Sequence, residues 1–399
     1  MFSTSVLICL LFNSVLATDN QTLRELENRL ATSNNRLTGE FIYNGILRYP
    51  GSSFVTIVFP LLSALGQLAL FSEKKNEQKL LDLLELDNKE QIRRIFPYIR
   101  EEYFSEDLVA SPKFDLKVYT DDDNKLCPAF KKSYKKTFGG ETGEVDYSEP
   151  EEAAEEINDY VKSQGTGGFK DLVSSRKIED KDGLNFIGTY ELSFKFDDRF
   201  VFTSSKVVKF KTGKTVTIIP GAAGEGIIKY ADVKSINAKV IEILARGGEY
   251  SYVVVLPNKV DGLKEVLKKF TDPEVFRQAI DQGKNVCAKL LVPSREVISK
   301  VDLANSLQQV DIKLLQEPFR TRGADLRGVS QKCDDTYVAS ILHEVRLRPD
   351  STNNSRKASP CTKYDVELEV NYPYAFYVMC AQREPNLVRS PIVGMAVQS

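Results

Sequence analysis

The sequence predicts an α+β fold with mainly antiparallel sheets. Three observations carry that expectation: helical periodicity dominates the first 170 residues, strand patterns dominate from residue 185 onward, and no βαβ alternation joins the two halves. Residues 23–30 are amphipathic at helical spacing, and residues 61–71 are apolar nearly all round, as a buried helix would be. Residues 78–86 repeat Leu at helical spacing. Ser148 and Glu151 have the spacing of a capping box ahead of a helix over 153–161. The β-rich segments are 205–210, 215–219, 238–244, 250–256, 286–292, 366–370 and 375–380. Helical patterns return at 262–270, 273–282 and 303–307. Pro, Gly and Ser are scattered, and no linker or internal repeat divides the 399 residues, so one domain is expected.

Composition excludes several classes. Lys and Arg total 54 against 56 Asp and Glu, a net charge of −2, which argues against a nucleic-acid partner. The single histidine, His343, cannot build a multi-histidine zinc site and leaves at most one place for a Ser-His or Cys-His pair. No metal, no cofactor and no enzymatic activity are expected. Lys131, Lys132, Lys135 and Lys136 form a local basic cluster, read first as a solvated helix face and second as a polyanion site.

The first 17 residues read as a secretory signal peptide. An apolar run spans 6–12, and Val15 and Ala17 stand at the −3 and −1 positions of a cleavage site. That run is too short to cross ~30 Å of hydrocarbon as a helix, and no other stretch is long enough, so no membrane partner is expected. Export makes two sequons meaningful as glycosylation sites, at Asn20 and Asn353. It also removes Cys9 and leaves Cys127, Cys287, Cys333, Cys361 and Cys380, an odd number whose pairing the sequence leaves open. Cys287 and Cys380 lie in apolar strand patterns and are expected in the core. Cys361, near Arg356, Lys357 and Lys363, is a reactive thiol or, as the blander reading, a pairing partner or an inert thiol.

The order of these pieces resembles the serpin family over essentially the whole mature chain, 18–399. Residues 228–243 (IKYADVKSINAKVIEI) and 250–257 (YSYVVVLP) are similar to the family's paired strands. Asp311-Ile312, Phe319, Ala324-Asp325-Leu326 and Gly328 resemble the segment that follows them. Tyr337-Val-Ala-Ser340 with His343, then Tyr372-Pro373-Tyr374 with Phe376, and finally Ile392-Val-Gly394 complete the series. Ala154, Ile157-Asn158, Tyr160-Val161 and Asp171-Leu172 resemble a family helix and the turn after it. The resemblance implies a single domain of three mainly antiparallel sheets, A, B and C, with about eight or nine helices. It places residues 221–226, glycine-rich but without the GK[ST] ending of a phosphate loop, in the connection before a strand.

What the resemblance implies for function is protease inhibition through an exposed reactive loop, here about residues 350–364. In a typical member the cleaved loop inserts as a new central strand of the large sheet, which needs a hinge of small residues. Asn353, Arg356, Lys357, Ala358, Ser359, Pro360 and Cys361 occupy that region instead. Adjacent Arg356 and Lys357 would point one cation at the inner face of a sheet in either register, a cost of several kcal/mol if unpaired. From His343 to Pro373 is 30 residues, about five short of the family's usual spacing. Phe59 and Leu62 replace two small hydroxyl residues of the shutter, the region under the sheet where His343 is also expected. These departures resemble the short-loop serpins of insect silk gland and imply a secreted, monomeric inhibitor. Its partner is a target protease, papain-like in preference to trypsin-like. Two alternatives stay open: a non-inhibitory carrier, chaperone or structural component of a secretion, and a serine-protease inhibitor cleaved at a basic residue.

Overall fold

A computed structural model describes residues 4–105, 113–165, 168–178, 181–294, 296–304, 326, 328–330, 336–350, 360–380, 388 and 391–397, without the side chains of 4–20, 194, 349, 350 and 392. Most of the predicted loop, including Asn353, Arg356, Lys357, Ala358 and Ser359, lies outside these residues. So do Cys333, most of the predicted 303–307 helix and the Asn20 side chain.

Helices open the chain. Helix α1 (Thr4–Arg48) continues through the predicted amphipathic segment, burying Leu26, Leu30, Leu37 and Phe41. Helix α2 (Phe59–Phe71) is buried from Phe59 to Leu70, as its all-round apolar pattern requires, and it starts with Pro60 in its first turn, where a missing N–H costs nothing. Helix α3 (Lys74–Leu84) follows, then α4 (Lys89–Phe104), which the Asn88 side chain caps by accepting from the Gln91 amide. The short helix α5 (Pro128–Ser133) comes next, and helix α6 (Pro150–Ser163) starts earlier than the predicted 153–161. The expected capping box is absent: Glu149 is the cap and accepts no side-chain bond, because the Ser148 hydroxyl donates to Asp146 instead.

Two hydrogen-bonded sheets pack behind these helices. The first has five strands in the order β10 (Val297–Asp302), β11 (Tyr337–Asp350), β4 (Gly183–Lys195), β2 (Lys113–Asp121) and β3 (Glu141–Val145). The second runs β1 (Phe54–Thr56), β14 (Pro391–Val397), β13 (Tyr374–Cys380), β8 (Tyr250–Pro257), β7 (Ala238–Leu244), β6 (Thr215–Val233), β9 (Lys284–Pro293) and β12 (Val366–Glu369), with β5 (Phe200–Thr212) also paired to β6. Antiparallel pairing predominates; the parallel pairs are β11–β4, β2–β3 and β12–β9. The expected second and third sheets are therefore one continuous ladder, joined by the 19-residue β6. Residues 221–226 lie inside β6, paired to β9 on one side and β5 on the other, and not in a connection before it.

Helices α7 (Leu263–Lys269) and α8 (Pro273–Ile280) cover the nine-stranded sheet with Phe270 and Phe276 against Tyr377. On the other side of the molecule α6 packs over the five-stranded sheet through Ile157 and Val161, in a cluster with Ile187 and Leu342. Asn158 on α6 straps down the chain that follows it. Its amide donates to Val173 O at 2.8 Å, and its oxygen accepts from the Leu172 and Val173 amides at 2.7 and 2.9 Å.

Candidate functional site

The site has two ends, because the predicted loop leaves from β11 and returns to β12. At the departing end, β4 and β11 are direct neighbours. Their parallel register runs from Tyr337 opposite Gly183 to Asp350 opposite Lys195, with one irregularity between Val338 and Ser340. The gap that an inserted loop would occupy is closed along its whole length.

Alternation of side chains across this seam gives it two faces. Outward, toward α6, Ser340 donates to Asn185 Oδ1 at 2.6 Å across the two strands, and Asn185 donates to Tyr147 Oη at 2.9 Å, all three groups being buried. Nearer the loop, Arg348 Nη1 lies 3.0 Å from Glu191 Oε1 and its Nε donates to Glu296 Oε1 at 2.5 Å. Glu191 is only 4 % exposed, so its charge is held by its partners and not by water. Arg346 sits over the Phe169 ring and within 3.5 Å of Glu296. The Glu344 carboxylate accepts from the Lys170 amide, and burial raises its pKa. One alternating run, Glu344-x-Arg346-x-Arg348, thus ties β11 to β4, to the segment before β10 and to the strap over the sheet.

Inward, His343 is 1 % exposed and stands edge-on to Tyr190, ring centroids 5.8 Å apart. Among the described residues neither imidazole nitrogen nor the Tyr190 hydroxyl has a hydrogen-bond partner, and burial lowers the His343 pKa to about 3. A neutral, enclosed imidazole packs as a core side chain and is no catalytic base. The expected shutter residues are linked by rings: Tyr190 stacks with Phe114 at 6.2 Å, and Phe114 meets Phe59 edge-on at 6.3 Å. Leu62 is buried one turn along α2 from Phe59. Large apolar side chains fill the space under the seam.

At the returning end the structure decides one alternative and corrects one expectation. Cys361 is a pairing partner and not a reactive thiol, and Cys287, expected in the core, is its partner: the two form a disulfide, with Cα atoms 5.8 Å apart across 74 residues of sequence. Asp365 clamps the same point, its amide donating to Cys287 O at 2.8 Å and its carboxylate accepting from the Cys287 amide at 3.0 Å. Lys289 lies over the Tyr364 ring. Beyond β12, the Val370 amide donates to Leu291 O, the Lys211 amide to Asn371 O and the Tyr372 hydroxyl to Pro257 O. Pro360 is exposed, at the boundary of the described chain. The strand-like pattern around Cys287 concealed the pair, since the bridging partner lies outside any periodic segment.

The remaining candidates are bland. Lys131 pairs with Glu144, and Lys132, Lys135 and Lys136 are exposed. A carboxylate group of Asp121, Asp122 and Asp146 has cation-ligand spacing, but Asp121 already accepts from the Asp123 and Tyr147 amides. No helix among the described residues is long and apolar enough to cross a membrane.

Comparison with known proteins agrees with this geometry. A family profile described as Serpin (serine protease inhibitor) matches residues 51–387. The chain is 27 % identical to alaserpin of Manduca sexta over 341 residues, covering 85 % of this chain and 86 % of that one. It is also 27 % identical to antichymotrypsin-2 of Bombyx mori over 367 residues, covering 88 % and 95 %. Among solved structures, Serpin48 of Tenebrio molitor superposes with a TM-score of 0.79 at 16 % identity, covering 93 % of this chain and 98 % of that one. Native protease nexin-1 with heparin superposes with a TM-score of 0.78 at 15 % identity, covering 94 % and 100 %. With more than half its length matched by the family profile and the fold shared over 93 % of it, the chain belongs to the serpin family.

Proposed function

We propose that this serpin is an exported protease inhibitor that presents its loop as a stapled plug rather than as a strand that inserts fully after cleavage. One observation carries the reading: the loop starts where a closed, ion-paired seam ends and is anchored again at Cys361. Only residues 351–360 lie between Asp350 and that anchor. Ten extended residues reach about 33 Å, whereas the thirteen paired positions of β4 and β11 span about 43 Å. Cleavage beside Arg356 or Lys357 would leave a still shorter insert.

A plug held at both ends loses little entropy on docking, which suits inhibition without a trapped acyl-enzyme. Papain-like enzymes are the preferred targets on this reading. The disulfide supports passage through an oxidising compartment and so supports removal of residues 1–17 and secretion. The non-inhibitory alternative shares the sealed seam and is separated from the plug by inhibition alone.

The test is a panel of papain-like and trypsin-like proteases, followed for residual activity, cleavage position and detergent-stable adducts. Inhibition of papain-like enzymes without a stable adduct is the expected result. A second reading, a trap for trypsin-like enzymes cut after Arg356 or Lys357, is favoured by relatives such as the antitrypsin of Bombyx mori, 27 % identical over 316 residues. A detergent-stable complex with trypsin would establish it and overturn the plug. Inhibition of neither class would leave the carrier or structural role.

A further inference from the structure

The geometry points to a redox-set boundary for the loop: the Cys287–Cys361 disulfide isolates β12 from any pull on the loop, and its reduction frees the flank 361–372 to peel from β9. Cys287 and Cys361 are positioning residues on this view, and the inference rests on the plug reading above.

Three observations converge. First, β12 is a weakly held strand. It has four residues, lies at the end of the nine-stranded sheet, and pairs with β9 alone through four parallel register pairs, its residues alternately half-buried and exposed. Second, the polar contacts of the flank follow one another along the chain: Asp365 to Cys287, Val370 to Leu291, Asn371 to Lys211 and Tyr372 to Pro257. Contacts in series open one at a time when the chain is pulled from one end, so each step costs only a single modest bond. Third, the disulfide sits at the end where such pulling starts. The loop re-enters at Pro360, and the next residue is already bridged to β9. A tug from a docked protease reaches the covalent link before it reaches Asp365.

Reduction changes this without moving any other contact. A dithiol reductant transfers two electrons and two protons to the bridge. The S–S bond breaks, two thiols form, and the reductant closes to its own disulfide. The chain that must stay in place to present the loop would begin to detach at Tyr364 and Asp365, and the loop would gain slack.

The experiment is amide hydrogen exchange on the full-length protein, oxidised, then reduced with dithiothreitol and alkylated with iodoacetamide, with the double variant C287S/C361S alongside. The expected result is exchange at Asp365 and Val370 at least tenfold faster after reduction, with β13 and β8 amides within twofold of the oxidised protein. The double variant should match the reduced form, and if it fails to fold, the alkylated protein supplies the comparison. Unchanged exchange at Asp365 and Val370 would overturn the inference. So would equal acceleration across β13 and β8, which would mean a general loss of stability in place of a local release. The readout needs no protease, so a chain that inhibits nothing can still pass it, and a failure here leaves the inhibition panel standing.

Discussion

Two parallel strand pairs bracket the loop, and they are built in opposite ways. The β4–β11 seam has thirteen register pairs and is secured by distributed contacts: the Ser340–Asn185–Tyr147 relay, the Arg348 ion pairs, and the strap held by Asn158. The β9–β12 seam has four pairs and one covalent bridge. A long seam can rely on many modest terms because opening it breaks several of them together. A short edge strand has too few, so a single strong bond supplies what length cannot. The contrast explains how a loop can be held fixed at both ends by unrelated means.

The largest effect should come from the short seam. Removing a cross-link that closes 74 residues of chain, in C287S/C361S, should cost about 4 kcal/mol by the chain-entropy relation, read as a shift in the urea midpoint. Next, Arg348→Ala leaves Glu191 without its principal cation in a buried position. It should cost about 3 kcal/mol and, if the seam is the barrier to insertion, should also increase heat stabilisation on loop cleavage. No stabilisation on nicking in this variant would mean that the ion pairs are not what keeps the strands together. Asn185→Ala strands two buried hydroxyls and should cost about 2 kcal/mol, with no change in β12 exchange.

The most local effect, negligible at neutral pH and growing only on acidification, is the pH response of His343. Its folded pKa, about 3, lies below the unfolded value near 6.5, so the unfolded chain takes up a proton first. Stability should therefore be flat above pH ~6.5 and fall by about 1.4 kcal/mol per unit on acidification toward pH 3. Glu344, whose pKa is raised, acts in the opposite direction just above its ordinary range, so the measurement is the difference between the wild type and His343→Gln. Equal slopes in the two proteins would place the sensitive group elsewhere.

The strands of the short seam were more legible in the sequence than those of the long one: 286–292 and 366–370 anticipate β9 and β12, whereas no β-rich segment stands out over β4 or β11. Residues 61–71 announce α2 because an unbroken apolar run has nowhere to go but inside, and β7 has the predicted bounds 238–244 because its ends are marked by turns. Helix α4 was missed although Ile92, Ile95, Phe96 and Ile99 repeat at helical spacing; Pro97 within it is the residue that argues against a helix, and here packing overrides it. The seam's polar relay depends on register, which places Ser340 opposite Asn185, and register is a property of paired strands that one strand's sequence does not carry. The disulfide was beyond reach for a simpler reason. Five cysteines offer many pairings, and only the return of β12 alongside β9 brings Cys361 to Cys287.

The long strand β6 has a bearing on what survives if the loop is cut. From Gly221 to Gly226 its backbone is bonded to a neighbour on each side, and farther along it hands one side over from β5 to β7. It acts as a keel: β9, which carries the bridged cysteine, and β7, which leads on through β8 to β13 and β14, are fastened to the same plank. A break between residues 350 and 360 therefore leaves both resulting chains joined through one continuous sheet, and the nicked molecule should travel through a sizing column as a single particle.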